Sequence, residues 1–125
     1  MVPQDLKYTK EHEWIKIEGN TGIIGITDFA QHELGDIVFV ELPKVGSKVE
    51  FMKRFGTIEA VKAVSDLFSP LSGEVAAVNS DLESNAAVIN TDPYGAGWII
   101  KVKLTNTVEL SQLLDAAAYG KLIGQ

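Results

Sequence analysis

Lys62 is the residue of this chain with the clearest potential for chemistry. It stands between two β-prone runs, at 56–61 and 63–68, and neither side of it carries the glycine, asparagine or proline that normally builds a turn. Turn residues come only at 69–73, Ser-Pro-Leu-Ser-Gly, before apolar alternation resumes at Val75. A primary amine placed in this way could be an attachment point for an acyl group or a Schiff-base nucleophile. A lysine in a partly apolar run can equally be an edge-strand charge without a chemical role.

A Schiff-base role for Lys62 would make the chain an enzyme in its own right. Such a lysine needs its charged form to be destabilised, either by burial or by a neighbouring cation. The nearby charges along the sequence are instead Glu59 and Asp66, and both favour the ammonium form. The local electrostatics therefore oppose this chemistry, and an enzyme is the least favoured interpretation.

Two other groups of residues fit ligand-binding patterns poorly. Tyr-Gly-Ala-Gly at 94–97 contains a Gly-x-Gly, but a strand follows it and the third glycine is missing, so we expect a turn rather than a phosphate-binding loop. Glu-His-Glu at 11–13 could supply metal ligands together with His32-Glu33. Alternating residues of a strand face opposite sides, however, and no metal-ligand spacing is present. Solvated charges are the expected role of these side chains.

The composition narrows the class of protein. With 125 residues the chain can bury one core, and a single domain over residues 1–125 is expected. A net charge of −6 argues against nucleic acid and against anionic membrane surfaces as partners, because both select basic proteins. The chain has no cysteine, which excludes disulfides, thiolate nucleophiles and zinc–thiolate sites.

The sequence also bears on location. No apolar run approaches the roughly 20 residues that cross a bilayer, and the first residues show neither a signal-peptide nor a transit-peptide pattern. The expected location is the cytoplasm, or the mitochondrial matrix if a presequence has been removed.

Short β-prone runs separated by turns dominate the chain and predict a mainly β fold, a small sandwich or flattened barrel with peripheral short helices. The continuous apolar run within 36–42 predicts a strand that is buried on both faces. Besides the two arms around Lys62, the predicted strands lie at 13–18, 21–26, 36–42, 45–49, 73–79 and 97–104.

Two helical segments are expected. A brief helix at 27–35 would have Asp28 as its N-cap and Gly35 at its end. A C-terminal helix would begin at Asn106, with Asp115 able to cap a further set of turns. The apolar stripe of that C-terminal helix would be Leu110, Leu113, Leu114 and Ala117.

Six segments resemble, in the same order, signatures of the glycine cleavage H-protein family, and together they cover nearly the whole chain. The hairpin around Lys62 also resembles those of biotinyl and lipoyl carrier domains. The chain departs from the family pattern at Ala60, where serine is common, and at 51–54, where a turn glycine is missing. The six segments are Glu-His-Glu-Trp at 11–14, Ile-Gly-Ile-Thr-Asp-Phe-Ala-Gln at 24–31, Leu-Gly-Asp-Ile-Val-Phe-Val-Glu-Leu-Pro at 34–43, Gly-x-x-Glu-Ala-Val-Lys-Ala at 56–63, Ser-Pro-Leu-Ser-Gly-Glu-Val at 69–75 and Asp-Pro-Tyr-x-x-Gly-Trp at 92–98.

The resemblance implies a fold of the biotinyl/lipoyl carrier type and a lipoic acid joined to Lys62 through an amide on its ε-nitrogen. In that family the arm takes an aminomethyl group from glycine at a pyridoxal-phosphate glycine decarboxylase (P protein). A tetrahydrofolate-dependent aminomethyltransferase (T protein) then takes the methylene, and dihydrolipoamide dehydrogenase (L protein) reoxidises the dithiol. The chain would thus be a monomeric carrier and not an enzyme. A lipoate ligase or a lipoyl/octanoyl transferase would attach the arm.

The resemblance also implies roles for five further residues. Glu59 and Gly56 would be recognised during lipoylation, the glycine through its backbone. Glu11, Glu13 and Asp66 would line an acidic pocket that shelters the arm once it ends in an amine. The alternative function is a lipoyl or octanoyl relay that supplies the arm to other enzymes. A biotin carrier is a weaker alternative, because Lys62 lacks flanking methionines.

Overall fold

The computed structural model describes residues 2–125, which form two antiparallel sheets and several short helices. The larger sheet has six strands in the order β1-β2-β3-β9-β8-β5, and the smaller has three in the order β4-β6-β7. The strands are β1 (Lys7–Tyr8), β2 (Glu13–Glu18), β3 (Thr21–Ile26), β4 (Ile37–Glu41), β5 (Lys48–Val49), β6 (Arg54–Ala60), β7 (Val64–Phe68), β8 (Gly73–Val78) and β9 (Ile100–Leu104).

The helices are all short. None of those within residues 2–125 has the length and apolarity needed to cross a bilayer. The α-helices are α1 (Asp28–Leu34), α2 (Val88–Thr91) and α3 (Ala116–Leu122), and the 3₁₀ helices are Ser80–Glu83 and Thr107–Gln112.

Strands β2 and β3 confirm the predicted runs at 13–18 and 21–26 residue for residue. They form a hairpin whose pairing runs from Glu13 opposite Ile26 to Glu18 opposite Thr21. Gly19 makes the turn with φ of 61°, a left-handed conformation that glycine adopts readily because it has no Cβ.

Two apolar clusters form the core. The larger packs the two sheets against each other, and the smaller joins the N-terminal residues to α3 and β2. The buried members of the larger cluster are Ile15, Ile24, Ile26, Ile37, Val40, Val49, Ile58, Leu67, Leu71, Val75, Leu82, Ala86, Ile89, Ile99, Ile100 and Val102. Those of the smaller cluster are Val2, Leu6, Tyr8, Trp14, Ala116 and Tyr119.

The expectation of a strand buried on both faces at 36–42 is wrong. Strand β4 buries Ile37 and Val40, whereas Val38 and Phe39 are 57% and 49% exposed. The pairing register with β6 shifts between Ile37 and Phe39, so a bulge reorients the chain at this point. Strand β4 also lies at an edge of the three-stranded sheet. The apolar run therefore has one face in the core and one in solvent.

The predicted C-terminal helix is interrupted. No residue of the 3₁₀ helix Thr107–Gln112 is buried, and Ala117, a member of the predicted stripe, is exposed. Leu113 is extended, and Leu114 forms a β-bridge to Tyr8 through two backbone hydrogen bonds of 2.8 Å. This pairing with the N-terminal strand replaces the helical hydrogen bonds, so the helix stops and α3 begins anew.

The helix caps agree with the sequence only in part. Asn106 and Asp115 act as predicted, each accepting a backbone N–H of the following turn. The N-cap of α1 is Thr27, not Asp28, because the Thr27 hydroxyl accepts the N–H of Ala30. Gly35 ends α1 as predicted, with φ of 80°.

Helix α3 is tied to the start of β2 by a polar network. The Tyr119 hydroxyl lies 2.8 Å from His12 Nδ1 and 2.7 Å from Thr27 Oγ1. Burial lowers the pKa of His12, so the ring is neutral near pH 7 and Nδ1 can accept a hydrogen bond from the Tyr119 hydroxyl. The Tyr119 ring also stacks on Tyr8, with 4.6 Å between ring centroids.

The substitution Gly56→Ala is expected to lower the free energy of unfolding by about 1–3 kcal/mol. Gly56 is buried on β6, and a Cβ built there would collide with the backbone carbonyl oxygen of Glu41 on β4. A backbone oxygen cannot rotate away as a side chain can, so the two strands must separate. Urea unfolding followed by circular dichroism measures the change.

Gly120→Ala in α3 is the control for this substitution. Outside the backbone of its own helix, the nearest atom to a Cβ at Gly120 would be Gln125 Cβ at 3.9 Å, and alanine has the higher helix propensity. Its stability should equal or exceed that of the wild type. Equal stability of Gly56→Ala and the wild type would contradict the close approach of β4 to β6.

Candidate functional site

Lys62 lies at the exposed tip of the hairpin formed by β6 and β7. The N–H of Ala60 donates to the carbonyl oxygen of Ala63 at 2.7 Å, which closes the loop without any turn glycine. Within residues 2–125 the Lys62 amine forms no ion pair. Its side chain passes over Gly35, where an added Cβ would come within 3.1 Å of Lys62 Cε. The amine is therefore open to an approaching reactant.

The tip of the hairpin is anchored at the corner between α1 and β4. The N–H of Val61 donates to the carbonyl oxygen of Asp36 at 2.9 Å. The Asn90 side chain holds both neighbours of Asp36: its Oδ1 accepts the N–H of Ile37 at 2.9 Å, and its Nδ2 donates to the carbonyl of Gly35 at 2.9 Å. Asn90 thus fixes the corner to which the lysine loop is attached.

Glu59 and Gly56, the two residues predicted to matter for lipoylation, lie on the arm of the hairpin that leads to Lys62. Glu59 is exposed on the outer face of the three-stranded sheet. Gly56 is buried where β4 approaches β6 closely, and a side chain there would collide with the carbonyl oxygen of Glu41. The packing of the two strands therefore explains the glycine without any partner.

Glu13 is buried, although it is an acid at the start of a strand. Thr9 Oγ1 donates to Glu13 Oε1 at 2.5 Å, and the N–H of Phe68 on β7 donates to Oε2 at 3.2 Å. Thr9 Oγ1 also accepts the backbone N–H of Glu11 and of Glu13, each at 3.2 Å, which directs its own proton to the carboxyl. Burial outweighs these hydrogen bonds and raises the pKa of Glu13 to about 8. The carboxyl is therefore mostly protonated at neutral pH.

The other two acids of the predicted arm pocket are exposed. Asp66 Oδ1 accepts a hydrogen bond of 3.2 Å from Arg54 Nε, and Arg54 Nη2 donates to Glu41 Oε1 at 2.9 Å. The Glu11 side chain is exposed beside the Thr9 turn. The structure therefore brings Glu11 and Glu13 together at that turn and places Asp66 on β7, two residues before Phe68. The three acids do not form one open pocket in this structure.

A cleft of about 270 Å³ lies beside Thr9, with walls from residues 8–10, 51–52 and 112–114. Thr9, which lines this cleft, donates its hydroxyl to the Glu13 carboxyl. The walls of the cleft come from three distant parts of the sequence, and the interruption of the C-terminal helix at Leu113 supplies one of them.

Three residues that shape this region were not predicted from the sequence: Thr9, Arg54 and Asn90. Thr9, two residues before Glu11, has the local signal of a hydroxyl that accepts backbone N–H groups in a turn. Arg54 bonds to Asp66 and Glu41, which are separated from it by 12 and 13 positions in the sequence. Asn90 bonds to residues that are more than 50 positions away. Only the tertiary structure reveals these two roles.

The fold and the site together define a class of protein: a small β carrier domain that presents one reachable amine at the tip of an anchored hairpin. Within residues 2–125 no cluster of three metal-ligating side chains is present. The buried titratable groups, Glu13 and the tyrosines near α3, are engaged in hydrogen bonds of the scaffold.

Comparison with known proteins identifies the family. The sequence model described as "Glycine cleavage H-protein" matches residues 6–125. A glycine cleavage system H protein of Symbiobacterium thermophilum is 62% identical over 118 residues, covering 94% of this chain and 92% of the relative. One of Carboxydothermus hydrogenoformans is 55% identical, covering 98% of this chain and 95% of the relative. The chain belongs to the glycine cleavage H-protein family.

A solved structure supports the same assignment. The crystal structure of a glycine cleavage system H protein from Mycobacterium marinum superposes with a TM-score of 0.92 at 42% sequence identity, covering 99% of this chain and 100% of that one. The predicted fold class, mainly β and of the lipoyl-carrier type, is thereby confirmed. The chain is accordingly a carrier component of the glycine cleavage system.

The burial of Glu13 predicts how stability depends on pH. Between the unfolded-state pKa of 4.5 and the native pKa of about 8, the native state holds a proton that the unfolded state has lost. For this group the free energy of unfolding is constant below pH 4.5 and falls as the pH rises towards 8, by up to about 1.4 kcal/mol per pH unit. Glu13→Gln should remove this contribution because glutamine does not titrate.

Urea unfolding at pH 5, 6, 7 and 8 measures how steeply the free energy of unfolding falls with pH in the wild type and in Glu13→Gln. Glu74→Gln on β8 replaces an exposed acid and should keep the slope of the wild type. Parallel slopes for the wild type and Glu13→Gln would show that the native Glu13 carboxyl is already ionised at neutral pH.

Proposed function

We propose that this chain carries lipoic acid as an amide on Lys62 and presents it in turn to the enzymes of the glycine cleavage system. The observation that supports this proposal is the position of Lys62, exposed at a hairpin tip whose backbone is anchored at Asp36. A fixed base and a long flexible side chain raise the concentration of the arm at successive partner sites. When bound, the lipoyl group supplies the thiol–disulfide and aminomethyl-carrying chemistry.

The rest of the chain suits this role. With no cysteine, the protein has no thiol that could exchange with the lipoyl disulfide. The reactive atoms would belong to the cofactor, so we infer that the protein is a carrier and not an enzyme. Orientation, presentation and shelter are then the tasks of its own residues.

The proposed partners follow from the system to which the chain belongs. They are the glycine decarboxylase, the aminomethyltransferase, dihydrolipoamide dehydrogenase, and the lipoate ligase or lipoyl/octanoyl transferase that attaches the arm. The net charge of −6 would favour basic docking patches on these enzymes. We propose that the protein is a monomer and that it lies in the cytoplasm, a location that the bacterial source of the relatives supports. A relay that supplies the arm to other enzymes is not favoured by these comparisons.

We also propose that the arm, once it ends in an amine, is sheltered near Glu13. A cation close to this carboxyl would favour its ionised form, and the two opposite charges would stabilise each other away from water. Glu13 is closed off by Thr9 and Phe68, so the Thr9 turn must move to admit the arm. The cleft beside Thr9 is the space into which the arm would enter once the turn has moved. Asp66 would release its ion pair with Arg54 and form one with the amine of the arm. Glu11, at the edge of this region, would add a further negative charge.

Lys62→Arg should prevent acylation and abolish glycine–bicarbonate exchange with the decarboxylase. Arginine keeps the positive charge but cannot form the amide. Because the residue is exposed, the free energy of unfolding should change by no more than about 0.5 kcal/mol. Intact mass after incubation with lipoate ligase, lipoate and ATP measures the acylation. Lys48→Arg, an exposed lysine of β5, should be acylated normally. Exchange activity in Lys62→Arg would rule out Lys62 as the attachment point.

Glu13→Ala and Asp66→Ala should each shorten the lifetime of the aminomethyl-loaded protein about tenfold, the effect of losing roughly 1.4 kcal/mol of charge-assisted hydrogen bonding. Lipoylation of both variants should proceed at the wild-type rate. Intact mass at intervals after loading with glycine and decarboxylase follows the decay, and Glu74→Ala is the control for a lost surface acid. An unchanged lifetime in both variants would mean that the arm swings freely in solvent.

A further inference from the structure

The direction in which Lys62 leaves the protein is set by the corner between α1 and β4. Exposure alone does not distinguish this residue, since Lys10 is exposed as well. The backbone of the lysine loop bonds to the corner, from the N–H of Val61 to the carbonyl oxygen of Asp36 at 2.9 Å. The aliphatic part of the Lys62 side chain lies over Gly35, the other residue of the corner. Any movement of the corner therefore moves the base of this side chain.

The carboxamide of Asn90 uses all of its hydrogen-bonding groups at this corner. Its Oδ1 accepts the N–H of Ile37 at 2.9 Å. Its Nδ2 donates one proton to the carbonyl oxygen of Gly35 at 2.9 Å and the other to Gln31 Oε1 at 2.8 Å. An aspartate at this position would keep the acceptor and lose both donors. The corner therefore depends on an amide and not only on a polar side chain.

The backbone of the corner needs this help because it lies between two regular elements. The last carbonyl groups of a helix have no partner within that helix, and Gly35 ends α1 with φ of 80° and ψ of −154°. Strand β4 lies at an edge of its sheet, so only one of its sides is paired with another strand. Asn90, which belongs to α2, supplies a partner to the groups on both sides of Asp36.

We propose that Asn90 is a positioning residue for acyl transfer to Lys62, because it fixes the corner from which that side chain extends. The inference rests on the proposed function. In the reaction, Lys62 Nζ attacks the carbonyl carbon of an acyl adenylate and an amide bond forms. The bond from that carbon to the phosphate oxygen breaks, the adenylate leaves with the bonding electrons, and the nitrogen gives its proton to solvent. Asn90 contacts none of the reacting atoms and acts through the backbone of the corner.

A fixed corner raises the share of molecules in which Lys62 has the position that the acylating enzyme requires. When only a fraction of the molecules has the competent arrangement, the apparent affinity falls in proportion to that fraction. Loss of the Asn90 amide should therefore raise the KM for the carrier protein. The kcat should stay the same, because the enzyme reacts only with the arrangement that it has selected. Later partners act at the far end of the lipoyl arm, whose rotatable bonds compensate for a shift of its base.

Steady-state lipoylation by a lipoate ligase with lipoate and ATP tests the proposal on Asn90→Ala. The KM for the carrier protein should rise about tenfold, with kcat within about twofold of the wild type. Gln31→Ala removes one bond of the Asn90 amide and leaves both bonds to the corner, so its KM should rise less. Asn90→Ala that has been fully lipoylated at high enzyme concentration should then exchange glycine and bicarbonate with the decarboxylase at the wild-type rate.

Asn79→Ala is the matched control. Asn79 is buried at the end of β8, and its Nδ2 donates to two backbone carbonyl groups, those of Ala96 at 2.9 Å and Trp98 at 2.7 Å. It thus holds backbone in the same way as Asn90, but in a different loop. Thermal unfolding should show a similar loss of stability in both variants, whereas the KM of Asn79→Ala should stay at the wild-type value.

Amide hydrogen exchange measures the anchor without any enzyme. In Asn90→Ala the N–H of Val61 should lose protection at least about fivefold. The N–H of Ala60 donates to Ala63 inside the hairpin at 2.7 Å, so its protection should not change. In the wild type the amides of Ile37 and Val61 should be protected to a similar degree, because one corner holds both. This last measurement needs no variant.

Three results would overturn the positioning role. An unchanged KM in Asn90→Ala would show that the corner does not limit acylation. An equal rise of the KM in Asn79→Ala would show that only the lost stability matters. A wild-type Val61 amide that exchanges as fast as in an unfolded peptide would show that the loop is not anchored at Asp36. Acylation of the Lys62→Arg protein would instead contradict the proposed function, so the two failures are distinguishable.

Discussion

A β-hairpin that extends past its sheet has no neighbouring strand at its tip, and a residue placed there is mobile unless the loop is held from outside. In this protein a backbone hydrogen bond from the N–H of Val61 to the carbonyl oxygen of Asp36 provides this hold, next to the last strand pair, Ala60 with Ile37. The strength of that hold depends on Asn90, which bonds to the residues on both sides of Asp36 and to the Gln31 side chain in α1. The scaffold thus fixes where the Lys62 side chain begins and leaves the amine itself free.

Charges in the structure are divided between two environments. Glu13 is taken into the interface between the sheets, where its carboxyl receives hydrogen bonds from Thr9 and from Phe68 and is kept protonated by burial. On the outer face, Arg54 forms ion pairs with both Glu41 and Asp66, whereas Glu59 forms no ion pair with the described residues. Glu13 and Glu59, acids of two different family segments, therefore lie in opposite environments: Glu13 is buried and hydrogen-bonded, and Glu59 is exposed.

The sequence predicted the parts of the fold that depend on local patterns. Alternation placed β2 and β3, the caps Asn106 and Asp115 act as expected, and the motif around Lys62 indicated the hairpin. The prediction for β4 was wrong because the sequence of an apolar run that is exposed on one face looks the same as that of a run buried in a core. The C-terminal helix was overestimated because its interruption depends on the bridge between Leu114 and Tyr8, more than 100 residues apart. The depth of Glu13 and the role of Asn90 were beyond reach for the same reason.

The order of the strands in the larger sheet has a consequence for the newly made chain. Strand β9 lies between β3 and β8, so the sheet has a gap until residues 100–104 have left the ribosome. The corner at Asp36 likewise waits for Asn90. The two arms of the lysine hairpin are close in sequence and can pair early, but their tip gains its anchor only when most of the chain has been synthesised. In a truncated product of translation the lysine hairpin therefore lacks its anchor, and the amine is presented correctly only after the chain has been synthesised in full.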